Sequence, residues 1–190
     1  MNVSAVLALS AAVIVWPPAG AAQVRLSERA TVSQTVDGTV ITIDYARPRV
    51  RGRSPIFGRR VHWREVWTPG ANMATTIELS RDVAIEGHAV PRGRYSIWFI
   101  VDESDQWMLL LDSTWSRFHT SRPPEDGGVV RFPVRVGTGP VTEVLTFSFP
   151  DVSDTGTVLQ FQWDDRVIRM AITVRPTMTR SPADVEFDQR

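Results

Sequence analysis

The sequence predicts an all-β domain, an antiparallel two-sheet sandwich or jelly-roll, carried behind an N-terminal signal peptide. Three observations predict it. Apolar and polar residues alternate at period two from Ala30 onward; the runs are short and bounded by Gly, Pro and Asp turns; and no segment sustains a helical period with caps. Some eight to ten such runs joined by turns close as two packed sheets around one core.

The leader comes first. Residues 3–16 are uncharged and mostly apolar, and Pro17-Pro18 ends them. At ~1.5 Å per residue a helix of that length falls short of a ~30 Å hydrocarbon core. Ala19-Gly20-Ala21-Ala22 supplies the small residues of a cleavage site, so removal of residues 1–22 and export to the periplasm or beyond are expected. There is no cysteine, which excludes a lipid anchor on that side chain and any disulfide. No later stretch is long and apolar enough to span a membrane as a helix. What remains, residues 23–175, is one domain of ordinary size, followed by a polar tail over 176–190.

Within the domain, Val40, Ile41, Ile43 and Tyr45 follow the turn-like Asp37-Gly38. Thr75, Ile77 and Leu79 alternate with Thr76, Glu78 and Ser80. Val90-Pro91-Arg92-Gly93 has the Pro and Gly positions of a type I turn. The runs Tyr95–Val101 and Trp107–Leu111 are apolar on both faces and read as central strands. Phe132, Val134 and Val136 share a face, and Pro133 between them marks an edge. Leu159, Phe161 and Trp163, then Ile168, Met170, Ile172 and Val174, read as a hairpin turning at Asp164-Asp165.

The segment from Tyr45 to Asn72 is chemically the densest. Arg47, Arg49, Arg51 and Arg53 stand two apart, Arg59, Arg60 and Arg64 follow, and no acid lies between Asp44 and Glu65. In an extended chain the first four project from one face ~6.6 Å apart, a spacing that suits bidentate contacts to carboxylate, sulfate or phosphate. The structural alternative is a solvated edge that blocks aggregation, or arginines bracing carbonyls within the fold. Thr68-Pro69-Gly70-Ala71 has type II turn chemistry, is followed by Asn72 and is flanked by Trp63 and Trp67, which either stack on a sugar ring or plug the core. Arg47, Arg53, Trp67 and Asn72 are the candidate ligand-binding residues.

Several of these residues carry a family resemblance. Tyr45-x-Arg47-Pro48-x-Val50-x-Gly52-Arg53, Ile56-Phe57-Gly58, Val66-Trp67 and Gly70-Ala71-Asn72-x-Ala74-Thr75-Thr76-Ile77 resemble the bacterial domain-of-unknown-function family 2911. Pro91-x-Gly93-x-Tyr95-Ser96, Leu145-Thr146-Phe147-Ser148-Phe149 and the region around Trp163 extend the likeness over nearly the whole chain after the leader. It implies an exported, β-rich protein and no particular activity. The family pattern commonly has Arg after the Trp and an acid after the Asn, where this chain has Thr68 and Met73.

Composition and motifs narrow the function classes. Basic and acidic residues balance at 21 each, which argues against nucleic acid as a partner. All the basic residues are Arg, the signature of a GC-rich genome. Asp154-Thr155-Gly156 spells an aspartic-protease tripeptide, yet that chemistry needs two aspartates, and a turn between strands explains one copy. Asp102-Glu103-Ser104-Asp105 lacks the spacing of a calcium loop and reads as a solvated turn. His62, His88 and His119 show no metal-ligand spacing, and no phosphate loop, serine elbow or dinucleotide fingerprint occurs, so neither metal nor cofactor is expected. The sequence therefore favours a secreted or periplasmic binding module for a small-molecule, anionic or glycan ligand over an enzyme. A hydrolase whose site assembles only in the fold, and an envelope protein-interaction module, are the alternatives.

Overall fold

Asp37 and Gly38 both take positive φ, 42° and 69°, as a two-residue type I′ hairpin turn requires. They join β1 (Glu28–Val36) to β2 (Thr39–Arg47) with Val36 opposite Thr39. The computed structural model to which these elements belong describes residues 27–124 and 130–175. The expected leader and the tail from Pro176 lie outside the described residues.

The remaining strands are β3 (Val66–Trp67), β4 (Thr76–Leu79), β5 (Val83–Ile85), β6 (His88–Val90), β7 (Gly93–Ile100), β8 (Gln106–Asp112), β9 (Val130–Val152) and β10 (Gly156–Val174). All pairings between them are antiparallel. The hydrogen-bonded path runs β1-β2-β4-β7-β8-β9-β10-β5-β6 as one ten-stranded sheet, with β3 beside β4 on the same edge of β7. The all-β antiparallel class expected from the sequence is what forms. Among the described residues no helix is long and apolar enough to cross a membrane.

That sheet folds across a shared core. Phe99 on β7 meets Phe161 on β10, with centroids 6.2 Å apart, although two strands separate them along the path. Tyr45 on β2 meets Phe147 on β9 edge-to-face at 5.0 Å. Side chains so far apart within a sheet touch only if its two wings face each other. The bend is built into β9 and β10. The first part of β9 pairs with β8 and the rest with β10, and register shifts interrupt the β9–β10 ladder between Val158 and Arg166. Bulges of this kind bend and twist a strand.

One of them corrects the sequence reading. Asp164-Asp165 is not a hairpin turn, because β10 runs unbroken from Gly156 to Val174. Asp164 takes φ 53° at the bulge, and its carboxylate is 1% exposed. One oxygen accepts the Ser54 hydroxyl and the other the Ile56 N–H, both at 2.7 Å. The local sequence looked like a turn because the αL conformation that Asp tolerates serves both structures.

The central strands are buried on both faces, as their composition predicts. Ile97, Phe99, Leu109 and Leu111 join the main core. Trp98 and Leu110, on the opposite face, form a second apolar cluster with Val66 and Ala74. Pro133 lies where β9 pairs with β8 alone among the described strands, as an edge proline should.

The Asp164 carboxylate is the tie between β10 and the chain at 54–56. Asp164→Ala leaves two donors without their acceptor, and unfolding free energy should fall by about 2–3 kcal/mol. A urea titration with an unchanged slope checks this.

Candidate functional site

The arginine-rich segment does not form a continuous extended row. Arg51 and Gly52 take φ 52° and 66° in a turn, which ends the alternation after Arg49. Arg47 donates from Nε to the Leu145 carbonyl at 3.3 Å and from Nη2 to the Thr146 hydroxyl at 3.1 Å. Arg53 donates to the carbonyls of Val50, at 2.8 Å, and Arg49. Both guanidiniums therefore brace backbone, the structural alternative the sequence left open. Trp67 is turned inward, stacked on Trp163 at 5.9 Å and 9° and edge-on to Phe57 at 5.5 Å. It plugs the core. Asn72 is exposed on a different loop, and no hydrogen bond or ring contact among the described residues joins these four to one another.

That second loop leads to the outer face of β4, β7 and β8. Between β3 and β4 the chain leaves β7 over residues 68–75 and returns. The Thr68 hydroxyl accepts the Thr75 N–H at 3.1 Å, and the Thr75 hydroxyl donates to the Pro69 carbonyl at 2.6 Å, closing the loop's neck. The expected type II turn is absent, since Gly70 is not among the residues with positive φ, whereas Asn72 is, at 66°. Gly70 is needed for space instead, because a Cβ there would lie 2.9 Å from Thr75 Oγ1. Thr68 thus serves as a loop-closing hydroxyl, and Met73 lies at the exposed tip.

The segment after β8 packs against this tip. Asp112 accepts the Thr114 N–H at 2.9 Å and pairs with Arg117 Nε, which fixes the first turn. Ser96 on β7 donates to the Thr114 carbonyl at 3.1 Å and accepts Trp98 Nε1 at 2.9 Å. Ala74 N–H donates to the Arg117 carbonyl and His119 N–H to that of Asn72, at 2.9 and 2.8 Å. Two irregular loops are thereby stitched together by backbone hydrogen bonds.

They carry an unusual surface. Six large apolar side chains are exposed among the described residues, and three of them, Met73, Trp115 and Phe118 at 38–45%, belong to these two loops. Met73 and Phe118 form a backbone bridge. The Arg94 guanidinium lies 4.2 Å over the Trp115 ring, reaches the Thr76 hydroxyl only at 3.4 Å, and has a buried Nε without a partner. The His119 ring packs on Phe118 at 4.5 Å, and its Nδ1 lies 2.9 Å from the Asn72 carbonyl. A carbonyl only accepts, so Nδ1 carries the proton and, in the neutral ring, Nε2 offers a lone pair. The group orienting His119 is a carbonyl, not the carboxylate of a hydrolytic dyad. No cluster of metal-ligating side chains occurs among the described residues.

Asn72 is the one sequence candidate that belongs to this platform. Trp115, Phe118 and Arg94 were missed. The available signal was Trp115-Ser116-Arg117-Phe118, two aromatics in a stretch without strand periodicity.

The fold and platform define an antiparallel all-β domain with an aromatic, arginine-edged outer face. Residues 27–172 match the model of a family described as a protein of unknown function (DUF2911), and the chain belongs to that family. No curated protein and no solved structure matches it.

Arg53 acts on backbone carbonyls at a largely solvated turn. Arg53→Ala should lower unfolding free energy by about 1 kcal/mol, read as a drop in melting temperature of several degrees.

Proposed function

We propose that the protein is a binding module, exported to the periplasm or beyond, that holds a carbohydrate on the platform of Met73, Trp115 and Phe118. The observation that carries the reading is the gathering of these exposed apolar side chains on two hydrogen-bonded loops, edged by Asn72, Arg94 and His119. Sugar rings have apolar C–H faces and hydroxyl rims. An aromatic face covers the first, and amide, imidazole and guanidinium groups meet the second. The export compartment rests on the uncharged run over 3–16 and the small residues before Gln23.

An envelope protein-interaction module is the second reading, favoured by the same Met, Trp and Arg, residue types enriched at interfaces. The hydrolase reading has less support, because His119 leans on a carbonyl.

A panel of neutral and acidic oligosaccharides titrated calorimetrically tests the proposal. At least one should bind, and Trp115→Ala should weaken it about tenfold or more, a loss of about 1.4 kcal/mol, with the melting temperature nearly unchanged because Trp115 is a surface residue. Failure of every glycan to bind the wild type, or equal binding by Trp115→Ala, would sink it.

A further inference from the structure

Arg94 and Trp115 meet at the edge of the outer platform, and the fold gains little from holding the arginine there. Arg94 is half-buried on β7, and its guanidinium lies 4.2 Å over the Trp115 ring. Its Nε is buried without a partner. Its one hydrogen bond among the described residues, from Nη2 to the Thr76 hydroxyl, is stretched to 3.4 Å. A buried donor left unmet lowers stability. Strand register offers the arginine an alternative, because Glu78 stands directly opposite it on β4 and is exposed. The two nevertheless form no ion pair. Asp112, on the adjacent strand β8, is already engaged by Arg117 and by the Thr114 N–H.

We propose that Arg94 makes the platform selective for acidic sugars, its guanidinium receiving the carboxylate of a uronate ring that packs on the aromatic side chains. The inference rests on the carbohydrate reading and deepens it. A guanidinium presents its N–H donors in a planar fork that matches a carboxylate, and here Nη1 donates to nothing among the described residues. The Trp115 ring holds the cation by its face, with no acceptor atom that a ligand would have to displace. A uronate carries a charged group at the rim of an apolar ring. The platform has the complementary arrangement, Met73, Trp115 and Phe118 exposed and beside them an arginine that no carboxylate among the described residues pairs with. A guanidinium binds a carboxylate more strongly than a neutral hydroxyl or ester oxygen. An acidic oligosaccharide should therefore bind more tightly than the same chain uncharged, and added salt should shrink the difference.

Calorimetric titration with oligogalacturonate and oligomannuronate, each beside its methyl ester, tests this, since the ester keeps the ring and removes the charge. At least one uronide should bind about tenfold or more tightly than its ester. Arg94→Gln should bring the acid down to the affinity of the ester and leave the ester's own affinity unchanged, whereas a disturbed fold would weaken both. Arg135→Gln, which removes an exposed arginine on β9, should keep the preference. Should melting show that Arg94→Gln does not fold, Arg94→Lys decides instead. It keeps the charge without the fork and should lower the preference severalfold. An ester bound as tightly as its acid, or a preference that survives in Arg94→Gln, overturns the inference and leaves the carbohydrate reading standing. So does binding of neutral glycans alone, or an equal loss in Arg135→Gln, the mark of diffuse surface charge. Failure of every glycan to bind the wild type overturns both.

Discussion

The buried Asp164 carboxylate ties the irregular segment between β2 and β3 to the sheet. Asp164 sits where β10 bulges, in a left-handed conformation, and each of its oxygens accepts one hydrogen from the segment around Ser54 and Ile56. A charge removed from water is tolerated when hydrogen bonds replace its hydration. Here those bonds also fasten the chain between β2 and β3 to the strand it covers. Further ties run to β9, where Val50 N–H donates to Glu143 and Leu145 N–H to Pro48. Ile56, Phe57 and Val61 then enter the main core from a stretch with no strand of its own. Phe57 comes to lie among Trp67, Trp107 and Trp163. The bulge that positions the carboxylate also helps β10 to bend between its partners β9 and β5.

This anchoring decides what the arginines do. Arg47 donates to the Leu145 carbonyl on β9 and Arg53 to carbonyls of its own turn, so both satisfy backbone acceptors beside the anchored segment. The outer platform differs in kind. Its loops are stitched to each other and to β7 through backbone groups, Ser96 and Asp112, so Trp115, Phe118 and Met73 are not needed to hold them together. Side chains left exposed on a braced backbone form a preorganised surface, which loses little conformational entropy when a ligand covers it.

The sequence made legible what local chemistry dictates. Asp37-Gly38 announces its hairpin through the φ values it favours, the double-faced apolar runs announce β7 and β8, and Pro133 announces an edge. The short β5–β6 hairpin was overlooked, although Glu86-Gly87, at φ 50° and 79°, is the same kind of turn. Asp164-Asp165 misled because an αL acid marks a bulge as readily as a turn. The candidate site was the least legible. A row of arginines in sequence carries no information about which carbonyls will face them, and Arg47 and Arg53 found theirs on β9 and in their own turn. The platform arises from loops packed across a sheet face, which leave no periodic trace along the chain.

The central proposal is that Arg47 and Arg53 brace the fold and that the outer loops are the binding surface. Backbone amide chemical shifts, followed while an oligosaccharide that binds is titrated into the labelled protein, test it most directly. The account predicts perturbations concentrated at residues 72–76, at Arg94 and at 112–119, with the amides of 47–64 nearly still. Shifts centred on Arg47, Arg53 and their neighbours, with the outer loops silent, would contradict it.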